Sequence, residues 1–224
     1  MTKIQRCDMQ CAICGTTSKQ VVLMSTNTFG GSPDLDMRPP EMKRSTLCFD
    51  IQTCPSCGYC APSISKSAGE LSAVVNSDEY RQQLRNPDFP NLADHFLSYS
   101  ILKVNENNHI AAAWASLRAA WVCDDSDNST KSAEYCRRRA LDQFVKAAVN
   151  GQEFDAPTGT REALIVDLYR RTGQFVEARS MCYEGLKNNP EEYLQNILLF
   201  QLQLITKQDV ACHRVSEVDN SKSI

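Results

Sequence analysis

The chain has 224 residues, of which 42% are hydrophobic and 23% charged, and its formal net charge is −3. This balance excludes a largely disordered chain, and a slightly acidic total gives no global attraction to nucleic acid, whose binding rests on phosphate neutralisation. No stretch reaches the roughly 18 uninterrupted apolar residues of a membrane helix, and the opening MTKIQRCDMQ lacks the apolar core of a secretory leader. A cytoplasmic protein without a membrane partner is expected, and in that compartment thiols stay reduced. The eleven cysteines therefore read as metal ligands, catalytic thiols or small buried hydrophobes before they read as disulfides.

Seven of those cysteines (Cys7, Cys11, Cys14, Cys48, Cys54, Cys57, Cys60) lie in the first sixty residues, which marks a composition boundary. "VVLM" at 21–24 and "LCFDI" at 47–51 predict short strands, the second because Leu47, Phe49 and Ile51 alternate with Cys48 and Asp50. Between them "FGGSPDLDMRPPE" at 29–41 clusters Gly, Pro and Asp as long loops do, and is expected to protrude. Beyond about residue 70 the periods become helical. Ser77 is placed to cap a short helix to about Arg85, and Asn91 to cap one to about Val104. "HIAAAWASLRAAWVC" at 109–123 carries Ile110, Trp114, Leu117 and Trp121 on one stripe. After the polar loop "DDSDNSTKS", four further helices are predicted, with Gly151, Gly173 and Pro190 at their ends. A polar, frayed tail follows Asp209.

The later helices partly match the tetratricopeptide pattern. Ile165, Tyr169, Gly173, Phe175, Ala178, Leu186 and Pro190 fall at its spacings, whereas Cys182 and Gly185 stand where an aromatic and an alanine are usual. The earlier pair has Trp114, Leu117 and Trp121 followed by Ala140, Phe144 and Ala147, across a loop longer than the motif allows. Plain core packing explains the same stripes. Either way an all-helical part is predicted, and only the repeat reading adds a concave surface for a partner.

The cysteine spacing carries the chemistry. "CAICG" at 11–15 and "CPSCGYC" at 54–60 contain two CxxCG turns separated by the 39 residues from Gly15 to Thr53. Two residues between ligands let both sulfurs of a turn face one ion, and the following glycine tolerates the positive φ such turns need. Cys11, Cys14, Cys54 and Cys57 are the expected ligands of one structural zinc per chain, with Cys7 and Cys60 left as spare thiols. Cys7, Cys11 and Cys14 also spell the CxxxCxxC of radical S-adenosylmethionine enzymes, but no strand–helix alternation follows. Cys54, Cys57 and Cys60 start a ferredoxin-like run that lacks its fourth cysteine and proline. A thioredoxin-like redox pair would need a βαβ setting.

A catalytic zinc would want an open position and groups that move protons. The only histidines are His95, His109 and His213, none in a metalloprotease spacing, and no phosphate loop, GxSxG elbow or deaminase signature occurs. Each histidine is expected at the surface or at a cap, and no enzyme is expected. Arg137, Arg138 and Arg139 fan round a helix, Arg170 and Arg171 form a smaller cluster, and Lys43, Arg44 and Lys66 flank the cysteine module. They leave room for phosphate contacts without the interleaved aromatics of a single-strand platform.

"CAICG", "FGGSPDLDMRPPE" with "KRST", "CPSCGY", "YSILKV", "AAAWASLRAAWV" and "LIVDLYRRTGQFVEA" together resemble the bacterial and archaeal proteins grouped as domain-of-unknown-function family 2225, over about residues 7–205. The resemblance implies an N-terminal zinc ribbon joined to tetratricopeptide-like helices, with no assigned activity. It also implies that the residue after "CPSCGY" is commonly alanine, which argues against Cys60 as a ligand.

Asp34, Asp36 and Arg38 are the polar group to watch in the loop. Asp36 and Arg38 are expected either to pair across a turn and lock the loop onto the helices, or to serve recognition; two carboxylates are too few for calcium. The expected fold is α+β, mostly α: a zinc ribbon at 1–66, a helical tetratricopeptide-like domain at 67–208 and a flexible tail at 209–224. The expected function is a non-catalytic zinc protein whose helices bind a protein partner. A nucleic-acid-associated ribbon protein is the second reading and a thiol-redox sensor the third.

Overall fold

Strands β1 (Lys3–Gln10) and β2 (Thr17–Ser25) form an antiparallel hairpin with the first cysteine turn at its tip, Gln10 facing Thr17 and Ile4 facing Leu23. The computed structural model describes residues 2–67, 71–126, 130–152, 154 and 156–220. Two compact units result, residues 1–29 with 41–150 and residues 30–40 with 151–224. This division differs from the boundary expected at residue 66, because helices of the middle segment pack directly on the second cysteine turn.

In the first unit, β2 is followed by α1 (Glu41–Arg44) and a 3₁₀ turn at Leu47–Phe49. The strand expected at 47–51 does not form. Ser45 Oγ bonds Met42 O at 2.9 Å and Thr46 Oγ1 bonds Lys43 O at 2.7 Å, and these local bonds hold the backbone in turns while Leu47 and Ile51 still reach the core. A minimal antiparallel pair, β3 (Gln52–Thr53) and β4 (Cys60–Ala61), brackets the second cysteine turn.

Helices α2 (Ser72–Val75) and α3 (Asp78–Gln83) come next, and Ser77 caps α3 as expected, its hydroxyl accepting from Tyr80 N at 3.3 Å. α4 (Asn91–Asn105) starts one residue earlier than expected: Pro90, fixed in φ, occupies the cap and Asn91 is the first helical residue. α5 (His109–Asp124) is not one-striped. Ala112, Ala113, Ala115, Leu117, Ala119 and Ala120 are all fully buried, because α4 packs on one side and α6 (Thr130–Val149) on the other, and small residues let both approach. Ser100 and Ser116 share a buried hydroxyl contact of 3.0 Å between α4 and α5, and Trp114 meets Phe144 edge-on between α5 and α6 at 5.6 Å. Of the expected "DDSDNSTKS" loop, residues 127–129 lie outside the described residues, and the helix resumes at Thr130.

In the second unit, α7 (Thr160–Arg171), α8 (Phe175–Lys187) and α9 (Glu192–Thr206) pack on one another, and α10 (Ser216–Asn220) ends the described chain. Val166, Ala178, Cys182, Leu194, Leu198 and Ile205 share one core with Leu35, and Tyr169, Phe175 and Leu186 pack against it. A methyl at Gly185 would lie 2.9 Å from Glu162 Cβ and 3.0 Å from Leu198 Cδ1, so this glycine sets how closely α8 approaches both neighbours. Cys182 is equally constrained, with its thiol 3.2 Å from Leu198 O.

Residues 30–40 are held in this unit by their backbone. Val215 N donates to Pro33 O and Leu35 N to His213 O, both at 2.9 Å, and Asp34 forms an isolated bridge with Arg214. The segment from 209, expected as a flexible tail, is thereby fixed through residue 218. Arg170, wholly buried, donates to Asp209 O at 2.7 Å and Ala211 O at 2.9 Å, which satisfies carbonyls that a free tail would leave to water. Residues 221–224 lie outside the described residues.

Candidate metal centre

The sulfurs of Cys11, Cys14, Cys54 and Cys57 lie within 4.8 Å of one another. Cys11 Sγ is 3.7 Å from Cys57 Sγ, and Cys14 Sγ is 3.6 Å from Cys54 Sγ. Four sulfurs about 2.3 Å from a central zinc stand about 3.8 Å apart on the edges of their tetrahedron, so the spacing fits a single ion bound by all four. The four residues singled out from the sequence are thus the ones that converge, and this group could hold a metal ion.

The two turns are built alike. In the first, Cys11 N donates to Thr16 O and Gly15 N to Cys11 O; in the second, Cys54 N donates to Tyr59 O and Gly58 N to Cys54 O, all at 2.9 Å. Gly15 at φ 72° and Gly58 at φ 74° sit in the left-handed region that the turn demands. The glycine N–H bonds the first cysteine's carbonyl. A bond to sulfur comes instead from Ile13 N to Cys11 Sγ at 3.4 Å.

A shell of further residues fixes the turns, and none of it was visible as a motif. Ala12 N bonds Ile64 O at 2.8 Å, tying the first turn to the segment after the second. Tyr80 of α3, fully buried, donates its hydroxyl to Gly58 O and accepts from Cys60 N, both at 3.0 Å. Arg81 Nη1 bonds Cys57 O at 2.9 Å, placing a guanidinium beside a cluster that becomes anionic when its thiols ionise. The Tyr80 and Arg81 contacts join residues about 20 apart in sequence and the Ala12–Ile64 bond spans still more, so no local pattern announces them.

Electrostatics separate Cys14 from Cys11 and Cys57. Burial pushes Cys11 up and Cys57 up further, whereas the Thr16 hydroxyl and N–H bring the exposed Cys14 down to about 6. At neutral pH Cys14 supplies the first thiolate, and Cys11 and Cys57 ionise only with a cation beside them, so binding must release protons. Cys60 is buried outside the cluster against Thr53 Oγ1 at 3.4 Å, and burial drives its thiol up to about 11. Cys7 is half-buried on β1.

The other residues singled out fall elsewhere. Arg38 Nε pairs with Asp34 at 2.6 Å, whereas Asp36 accepts from Arg38 N at 3.1 Å and from Arg171 Nη1 at 3.0 Å. Asp34 pairs with Arg38 and Asp36 with Arg171, and these contacts lock the buried loop to α7 of its own unit. Of the arginine clusters, Arg137 is paired with Asp124 and Arg170 with Asp167 at 2.6 Å, all on largely buried side chains. His109 bonds Gln143 at 2.8 Å, and His213 lies between Asp209 and Glu217 at 3.0 and 2.7 Å. His95 lines a shallow cavity of about 390 Å³ with Lys19, Cys48 and Phe49, where burial lowers its pKa and keeps the ring neutral.

Architecture and site define a mostly helical protein with two small N-terminal sheets and a four-cysteine group suited to a metal. No helix among the described residues is long and apolar enough to cross a membrane. Over residues 5–198 the chain matches the family described as uncharacterized protein conserved in bacteria (DUF2225), and it belongs to that family. No curated protein and no solved structure is significantly similar to it.

Proposed function

We propose that the cysteine group holds one structural zinc and that the protein is a non-catalytic module whose helices bind a protein partner. The observation that carries the zinc reading is the convergence of four sulfurs from two matched turns within 4.8 Å. An all-thiolate tetrahedron leaves zinc no open position, which is the arrangement of structural rather than catalytic sites. Zinc there would close a β-module whose two sheets have only two strands each, too little to stand alone. The partner reading draws on the close packing of α7, α8 and α9 and on the exposed Val176 and Tyr183 of α8, which line a shallow groove with Phe175 and Ile205. The nucleic-acid reading loses support because Arg137, Arg170 and Arg171 are engaged in internal ion pairs.

The test is anaerobic purification followed by elemental analysis of wild type, Cys57→Ser and Cys60→Ser. About one zinc per chain is expected in wild type and in Cys60→Ser, with metal lost and the first unit unfolded in Cys57→Ser. Iron, or metal that survives Cys57→Ser, would overturn the reading.

A further inference from the structure

Strand β1 pairs with β2 on one side only, and no strand lies on its other edge among the described residues. Such an edge offers unpaired N–H and C=O groups to another strand, and natural proteins blunt it with charge where pairing is unwanted. Here the charges are placed differently. Ile4, Gln5, Arg6 and Asp8 are exposed, and neither Arg6 nor Asp8 makes a salt bridge within the chain among the described residues. The ladder is irregular between Lys3 and Ile4, so its regular part runs over the seven residues Ile4–Gln10, whose midpoint is Cys7.

Two copies of one strand can join antiparallel about a twofold axis only with one residue facing itself, because the axis must stand perpendicular to the sheet for paired side chains to share a face. Centring on Arg6 sets arginine against arginine, and centring on Asp8 sets aspartate against aspartate, both unfavourable. Centring on Cys7 sets Arg6 of each copy against Asp8 of the other, twice, with Gln5 facing Met9 and Ile4 facing Gln10, and uses the whole regular strand. Registers centred further out shorten the pairing and lose both ion pairs. Within each hairpin Asp8 already faces Lys19, so it would lie between two cations, its own Lys19 and the other copy's Arg6.

We propose that this chain forms a twofold dimer through β1 in the Cys7-centred register, joining two hairpins into a four-stranded antiparallel sheet. A second copy is the occupant because the edge is charge-complementary to itself in one register and repels itself in the two adjacent ones.

Charge reversal tests both the surface and the register. Sedimentation velocity over a wide concentration range, on the protein as purified, is compared among wild type, Arg6→Asp, Asp8→Arg and the double variant Arg6→Asp/Asp8→Arg. Each single variant creates two like-charge pairs and is expected to weaken the dimer by about tenfold or more, whereas the double variant restores it. Circular dichroism and metal content, unchanged in all four, establish that these exposed substitutions leave the fold intact. A monomer at every concentration, a dimer indifferent to the single reversals, or a double variant as weak as the singles would overturn the proposal.

Discussion

Adding one methyl group at Gly58 and, separately, at Gly15 divides backbone strain from packing in two otherwise matched turns. Both glycines have φ near +70°, where an L-residue costs about 1–2 kcal/mol, so both Gly→Ala changes share that loss. Their surroundings differ. A Cβ at Gly15 would find its nearest neighbour, Gln10 Nε2, 4.0 Å away, whereas one at Gly58 would lie 2.5 Å from Leu84 Cδ2. Leu84 is itself largely buried, and forcing a methyl into a filled core adds about 1–3 kcal/mol. Gly15→Ala is therefore expected to cost about 1–2 kcal/mol and Gly58→Ala about 2–5 kcal/mol. Urea unfolding of the metal-loaded protein, followed by release of metal to a colorimetric chelator, reads the opening of these turns directly. In a Leu84→Ala background the clash is gone, and the cost of Gly58→Ala should fall to that of Gly15→Ala, a coupling visible in a double-mutant cycle. Equal costs for the two alanines, or a Gly58→Ala cost that Leu84→Ala leaves unchanged, would refute this reasoning.

Further tests address the helices. Asp94 is buried on α4 beside Gln83 Nε2 at 3.1 Å, and burial raises its carboxyl to about 7. Between roughly pH 4 and 7 the folded protein holds a proton that the unfolded chain has released, so this group's contribution to stability falls as pH rises through that window, by at most about 1.4 kcal/mol per pH unit. Asp94→Asn should gain on wild type as pH rises from 5 to 7 and then level off; a pH-independent difference in urea midpoints would contradict the burial argument. Gly185→Ala should lower the thermal midpoint although alanine is the better helix former by about 1 kcal/mol, because its methyl meets Glu162 and Leu198. A raised midpoint would show that α8 can shift away at little cost.

The cysteine group was legible because its chemistry is local: two residues between thiols and a glycine after each pair determine a turn and a ligand pair together. What lay between the turns was not. The 30–40 loop was expected to protrude from the cysteine module, yet Asp36 pairs with Arg171, 135 residues away, and nothing near Asp36 in sequence points there. Arg170 looked like part of a surface cluster. It is wholly buried because Asp167 one helical turn earlier and two carbonyls at 209 and 211 satisfy its guanidinium. β1 escaped notice because the alternation in "KIQRCDMQ" is short, with Cys7 and Met9 in phase but Ile4 out of it, and its pairing is decided by β2 and by the cysteine turn at the hairpin's tip. The apparent strand at 47–51 failed for the opposite reason. Its alternation was real, but Ser45 and Thr46 bonded their own backbone first.

The most direct measurement of the central claim is X-ray absorption at the zinc edge on protein purified without added metal. The account predicts one zinc per chain with four sulfur neighbours at about 2.3 Å and no lighter atom in the first shell. An ion with a nitrogen or oxygen ligand, or iron in place of zinc, would contradict a closed structural site on Cys11, Cys14, Cys54 and Cys57.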